Sequence, residues 1–347
     1  MRVLKVVGAV FALAVLLLAY NVLAHLVFWG SKEPVSISSA GVSVECTFAK
    51  PADEGVFPAV IVLLGSGPET RNGPAYRINA SNMLRHGFAI LICDKRGAGE
   101  SGGDFDSATF HDFAADAKAS VAYLAGREDV DAARIGLLAN SESGWFSAQI
   151  AAETGQVAFI INRVGPPLSW VDTVLWEVRN ELLDAGMDVA DVDTLLAANE
   201  RRWRFYIAAA DDPSIANGPE LDSINAELKH LRETIPNADE NLPEQAQEDA
   251  EFFRSFAADA AYDPVEHLRR IDVPLLYVFG GRDVNIPTQR SVEFLEAFRS
   301  DYGGTIDVRV YPDLGHPMAT WRGILHGGYP PDYLAFVGDW AQQQASY

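Results

Sequence analysis

The sequence predicts an α/β fold built on a mostly parallel sheet, and three observations carry the prediction. Short apolar runs of strand length alternate with helix-length amphipathic segments along most of the 347 residues, a pattern that calls for crossover helices between parallel strands. Most of those runs are apolar throughout rather than alternating, as in strands covered on both faces. The alternation is interrupted once, after Gly165-Pro166-Pro167, by about 105 residues of helical character before it resumes at Val273. With 48% hydrophobic residues the chain can bury a large core.

Residues 1–30 read as a leader. Arg2 and Lys5 precede Val6 to Tyr20, fifteen residues without a charge, and the apolar character continues to Trp29. A secretory signal cleaved after Val22-Leu23-Ala24 and an uncleaved membrane anchor through residues 6–29 both fit; the hydrophobicity of Leu26-Val27-Phe28-Trp29 favours the anchor. Positive residues ahead of the apolar run keep that end cytoplasmic, so the rest is expected on the exported, periplasmic side. Pro58 to Leu64 is the first buried strand, ended by Gly65-Ser66-Gly67-Pro68. Phe88 to Asp94 follows as a strand, Phe110 to Leu124 as a helix, Arg134 to Ala139 as a strand, Trp145 to Ala152 as a helix and Val157 to Val164 as a strand. Helical stretches then run from Trp170 to Asp184, Asp191 to Ala210, Pro219 to Thr234 and Pro243 to Ala260, with Pro and Asn at the breaks. Pro274 to Gly281 resumes the buried strands and Ile306 to Tyr311 alternates as another. The expected organisation is therefore a core of residues 31–165 and 271–347, with residues 166–270 inserted as a helical cap.

The segment Ala139-Asn140-Ser141-Glu142-Ser143-Gly144 joins a buried strand to a helix through a turn that carries a serine, the arrangement of a nucleophile elbow. Such a turn needs small residues two before and two after the nucleophile, because strand and helix backbones approach closely there. Ser141 satisfies this with Ala139 and Ser143; Ser143 would place Trp145 in a small-residue position. An elbow serine needs a base and an acid, in the chain order Ser, Asp or Glu, His. Asp283 stands at the tip of the loop after the Pro274 to Gly281 strand, and His316 in the loop after Ile306 to Tyr311. Loops at the carboxyl ends of parallel strands are where open α/β sheets assemble their sites. His326 and Asp272 are the alternatives, Asp272 the weaker because it precedes its strand. The Gly65-Ser66-Gly67 backbone can aim an N–H at a substrate oxygen, so the N–H groups of Ser66 and Glu142 form the expected oxyanion hole.

Leu63-Leu64-Gly65-Ser66-Gly67-Pro68, Cys93-Asp94-Lys95-Arg96-Gly97-Ala98-Gly99-Glu100-Ser101 and the Ser141 elbow together resemble the α/β-hydrolase superfamily, and within it the bacterial serine-esterase branch with G-S-G-P and D-K-R-G-x-G-x-S loops. The resemblance covers residues from about 40 to 345. It implies an eight-stranded, mostly parallel sheet with helices on both faces, a Ser141, Asp283, His316 triad, Ser66 and Glu142 at the oxyanion site, and hydrolysis of esters or thioesters. The chain departs from the family pattern at Leu64, where histidine is usual, at Ala139 and Asn140, where Gly and His are usual, and at Ser143, which replaces glycine.

Charge narrows the substrate. The chain carries a net charge of −21, and residues 166–270 hold 23 acidic residues against 9 basic ones. An acidic roof repels polyanions, which excludes nucleic acid and disfavours acyl-CoA and phosphorylated substrates. Trp170, Trp176, Trp203, Phe205, Tyr206, Phe252, Phe253 and Phe256 are candidates to line the cap side of a substrate pocket, although packing within the cap is the commoner role of such aromatics. No cofactor is expected, since neither a dinucleotide fingerprint nor a Walker A sequence is present, and no metal, since no His or Cys pair stands at ligand spacing. Cys46 and Cys93, both in strand-like runs, are expected as buried free thiols rather than a disulfide.

These readings converge on a serine hydrolase of small-molecule carboxylic esters that works through an acyl-enzyme. An aminopeptidase or amidase and an acyltransferase use the same triad. A catalytically inactive binding protein is the non-enzymatic alternative.

Overall fold

In the computed structural model the chain is described at residues 24–215, 218–238 and 257–346. Eight strands form one sheet in the order β1-β2-β4-β3-β5-β6-β7-β8. From β3 (Phe57–Leu63) onward, β4 (Ala89–Cys93), β5 (Val130–Asn140), β6 (Phe159–Arg163), β7 (Leu275–Gly280) and β8 (Ile306–Tyr311) are parallel neighbours. Their alternate residues feed two cores. Ile61 and Leu137 face one side of the sheet, under α2 (Phe110–Ala125), α3 (Ser143–Thr154) and α8 (Thr288–Tyr302). Val60, Val62 and Leu138 face the other, under α1 (Pro74–Arg85) and α9 (Tyr333–Gln344). Coverage on both faces explains why the central strands β3, β4 and β7 are apolar almost throughout, whereas the edge strand β8 alternates.

The first two strands differ from the rest and were not legible as such. β1 (Ser31–Ser39) and β2 (Val42–Lys50) form a hairpin through Ala40 and Gly41, both at positive φ, and β2 lies antiparallel to β4. That register sets Cys46 directly opposite Cys93, and the two are joined by a disulfide with Cα atoms 3.9 Å apart. The expectation of free thiols is thereby corrected: it treated the two cysteines as members of separate strands, and only the antiparallel pairing brings them side by side.

Most of the leader lies outside the described residues. Its last part, residues 24–29, packs along α1: Arg77 Nε donates to the Leu26 carbonyl at 3.0 Å, Ser81 Oγ to the Val27 carbonyl at 3.0 Å, and Arg85 to the Ala24 carbonyl. Phe28 is buried beneath the Arg77 guanidinium, 4.3 Å from its ring centre. Among the described residues no helix is long and apolar enough to cross a membrane.

Between β6 and β7 the described helices are α4 (Trp170–Asp184), α5 (Val189–Asp211), α6 (Pro219–Thr234) and the short α7 (Val265–Leu268). The helix expected from Pro243 to Ala260 falls largely outside the described residues, as do Phe252, Phe253 and Phe256. Phe205 and Tyr206 pack with Leu221, Ile224 and Leu228 between α5 and α6, and the rings of Trp170 and Trp203 meet at 5.3 Å.

Candidate active site

The strand-to-helix turn after β5 holds Ser141 at φ +50°, a left-handed conformation that a serine adopts only where its surroundings impose it. Three contacts do so. Ser141 N–H donates to the Arg163 carbonyl at 2.9 Å. The buried Ser143 hydroxyl accepts from the Asn140 N–H at 2.7 Å and donates to the Asn140 carbonyl at 3.0 Å, closing the turn from below. Gly144 abuts Gly165 so closely that a Cβ on Gly144 would stand 2.5 Å from the Gly165 Cα. Ser143 is thus consumed by the turn, while Ser141 lines a cavity of about 490 Å³.

The loops after β7 and β8 deliver the other two groups. His316 Nε2 lies 3.0 Å from Ser141 Oγ, and His316 Nδ1 lies 2.9 Å from Asp283 Oδ2 and 3.1 Å from Oδ1. With the carboxylate on Nδ1, the imidazole proton sits there and Nε2 accepts from the serine hydroxyl. Asp283 is fully buried at its side chain, and its Oδ1 accepts the N–H groups of Asn285 and Ile286, each at 2.9 Å. The two loops cross where β7 ends: a Cβ on Gly280 would stand 2.5 Å from the Leu314 carbonyl oxygen, and Arg282 N–H donates to that carbonyl at 2.8 Å. Of the alternatives, Asp272 is exposed ahead of β7, and His326 lies in a 3-10 turn (Trp321–His326) away from the cavity wall.

Ser66 and Glu142 face the same cavity, and neither main-chain N–H donates to another backbone group among the described residues. Lys95 joins them. Its Nζ donates to the Gly65 carbonyl at 3.1 Å and to Glu142 Oε1 at 2.6 Å, and it rests 4.1 Å from the Phe113 ring centre. Burial holds the Glu142 carboxyl above its ordinary pKa; Lys95 and the Ser66 hydroxyl pull it down without overcoming that. The flanking charges of the same loop are also engaged. Asp94 accepts from the Arg71 N–H and guanidinium and from Glu100 N–H, and Arg96 forks onto Asp116 at 3.1 and 2.7 Å. The loop after β4 therefore ties the Gly65 turn, the elbow and α2 together.

From α4, Thr173 and Glu177 reach the cavity wall, and neither Trp176 nor the other described aromatics named from sequence do so. The Asn285 amide donates to Glu177, and burial raises the Glu177 carboxyl. Tyr76, Lys95, Arg163 and Glu177 were not singled out in the sequence. Lys95 and Arg163 follow the rule that strand ends carry function; Glu177, inside a helix, gives no such signal. Among the described residues no group of His, Cys, Asp and Glu is arranged to hold a metal ion.

An eight-stranded, mostly parallel sheet with an elbow serine facing a histidine defines the α/β-hydrolase fold, and the chain is a serine hydrolase of that superfamily. Residues 40–308 match the X-Pro dipeptidyl-peptidase (S15) family, and the chain belongs to it. It is 27% identical over 244 residues to a non-heme haloperoxidase of Rhodococcus erythropolis, covering 69% of this chain and 79% of that one. In fold it is similar to an esterase of Pyrococcus furiosus (17% identity, 90% and 92% of the two chains, TM-score 0.56). It is similar also to an acylaminoacyl peptidase of Pyrococcus horikoshii (13% identity, 90% of this chain and 41% of that one, TM-score 0.54).

Proposed function

We propose that the protein hydrolyses carboxylic esters of small molecules through an acyl-enzyme on Ser141. The observation that carries this reading is the unbroken hydrogen-bond series Ser141, His316, Asp283, with the serine held at positive φ on a cavity wall. His316 Nε2 takes the hydroxyl proton as Oγ bonds to the ester carbonyl carbon, while Asp283 keeps the imidazole in the right tautomer and stabilises the imidazolium. Charge on the carbonyl oxygen is met by the Ser66 and Glu142 N–H groups, the latter at the positive end of α3. When the intermediate collapses, His316 returns the proton to the alcohol oxygen and the C–O bond breaks. Water then repeats the sequence, releasing the acid and the serine.

The reading extends to the remainder of the chain. Residues 166–270 act as a cap over the site, supported by the ties from Asn180 Nδ2 to the Val284 carbonyl at 2.9 Å and from Arg290 to Asp172 at 2.9 Å. The protein works outside the cytoplasm, carried there by its leader, whose residues 24–29 pack along α1 and so fall outside any membrane-spanning stretch; the disulfide supports an oxidising compartment.

Amide cleavage is the second reading, favoured by the family and by Glu69 and Glu177 on the cavity wall, which suit a substrate amine. Parallel kinetics with p-nitrophenyl butyrate and with glycyl-proline p-nitroanilide separate the two. Turnover of the ester, lost in Ser141→Ala, with the anilide cleaved far more slowly, is the expected result. Faster cleavage of the anilide decides for the peptidase, and turnover that survives Ser141→Ala overturns both.

A further inference from the structure

We infer that Arg163 forms a subsite for a single carboxylate on the substrate, so that the preferred esters carry one free acid group; the inference rests on the hydrolase reading of Ser141. Arg163 ends β6 beside the elbow, is 5% exposed, and contributes to the cavity wall that Ser141 and His316 share. Its guanidinium is charged at every relevant pH. Yet no carboxylate oxygen comes within 4.0 Å of it among the described residues, and its Nε has no hydrogen-bond partner. What it does touch is neutral: Nη2 donates to the Pro317 carbonyl at 2.7 Å, the Tyr333 hydroxyl is in hydrogen-bond reach, and the Tyr329 ring lies 5.3 Å away. Burial raises the phenols of Tyr333 and Tyr76, which keeps both protonated at neutral pH and unable to offset the charge.

A buried cation without an anion is costly, and proteins keep one only where something compensates it. Of the carboxylates on the same wall, Glu142 is committed to Lys95 and Glu177 to the Asn285 amide, and Glu69 lies more than 4.0 Å from the guanidinium. An incoming carboxylate is the complement, because a guanidinium matches it in geometry as well as charge. The acidic groups around the rest of the cavity set the limit: one carboxylate directed at Arg163 is accepted, whereas a polyanion meets Glu69 and Glu177.

The acid group can sit on the acyl or on the alcohol part of the ester, and two matched pairs distinguish these. Monoethyl glutarate against ethyl valerate tests the acyl side; carboxymethyl butyrate against ethyl butyrate tests the alcohol side, each followed by pH-stat with the purified full chain. One pair is expected to show kcat/KM about 10- to 100-fold higher for the acid-bearing ester, the range of a charge-assisted hydrogen bond. That ratio should collapse toward unity in Arg163→Gln and recover in part in Arg163→Lys. A structural role alone lowers both members of a pair equally and leaves the ratio unmoved. Titrating each acid-bearing ester into the Ser141→Ala protein by calorimetry removes the dependence on turnover. Binding of one that Arg163→Gln abolishes supports the subsite even if no ester is hydrolysed, in which case the ester reading fails alone. No preference in either pair together with no binding overturns the subsite.

Discussion

Lys95→Met removes the cation that the Gly65 carbonyl and the Glu142 carboxylate share while keeping the length and apolar bulk of the side chain. Two effects follow. Glu142 is left buried and unpaired, and removing one partner of a buried ion pair costs about 3–5 kcal/mol. Its carboxyl is already raised by burial, and losing Lys95 raises it further. The folded protein then holds a proton that the unfolded chain has released. Stability therefore falls as pH rises from the ordinary carboxylate range through the raised value, and the variant is most impaired at alkaline pH. The second effect is kinetic. Gly65 C=O and Ser66 N–H are opposite ends of one planar peptide, so an ammonium 3.1 Å from the oxygen directs the N–H toward the cavity. Losing an oxyanion donor outright costs about 10²- to 10³-fold in kcat, so a donor that remains but wanders should cost about 10- to 100-fold, with KM changed by about twofold at most. Steady-state hydrolysis of p-nitrophenyl butyrate and urea unfolding at about pH 5 and pH 8 read the two effects separately. Lys95→Met/Glu142→Gln should regain most of the stability and little of the rate. A kcat for Lys95→Met within about twofold of wild type, or full recovery of rate in the double variant, refutes the peptide-plane argument.

Three further outcomes are expected. The Cys46–Cys93 bond closes a span of 47 residues, so Cys46→Ser/Cys93→Ser should lose about 4 kcal/mol on the chain-entropy account, seen calorimetrically as a fall in Tm; an unchanged Tm contradicts it. Burial raises the Asp259 carboxyl to about 6, where it accepts the Phe110 N–H at 2.7 Å. Asp259→Asn keeps an acceptor and sheds the charge, so it should be about 1–2 kcal/mol more stable than wild type above pH 7, discounted for partial exposure, and equal to it below about pH 3, where the carboxyl is protonated in both states. Denaturant midpoints across pH check the sign. Asp283→Asn retains the loop but presents the wrong partner to His316 Nδ1, and kcat should fall by about 10⁴-fold; a loss below about tenfold would remove Asp283 from the assignment.

The three groups that meet at the candidate site were legible because their signals are local. Ser141 sits between small residues at a strand-to-helix joint, and Asp283 and His316 follow buried strands. The central parallel strands were legible for the same reason, being apolar on both faces, and β8 by its alternation. β1 was not: Ser31–Ser39 is largely exposed and polar at a sheet edge, so its sequence shows little of the pairing that shapes it. The disulfide depends on the antiparallel pairing of β2 with β4, which nothing in the residue pattern announces, and was missed for that reason. Arg163 escaped because its unusual property is the absence of a carboxylate partner among the described residues, which no pattern of residue types records. Of the cap aromatics offered as candidate lining, the described ones do not reach the cavity, in keeping with packing as their commoner role; bulk and helical spacing look alike for a wall and for a core, and Thr173 and Glu177 reach the cavity instead.

The central claim is that Ser141, activated by His316, forms the covalent intermediate, and labelling with a fluorophosphonate tests it most directly. The tryptic peptide of residues 135–163 contains Ser141, Ser143 and Ser147, so fragment ions locate the adduct among them. The account predicts one phosphonyl group on Ser141, none in Ser141→Ala, and greatly slowed labelling in His316→Ala with the fold retained. An adduct on Ser143 or elsewhere, or undiminished labelling without His316, would contradict it.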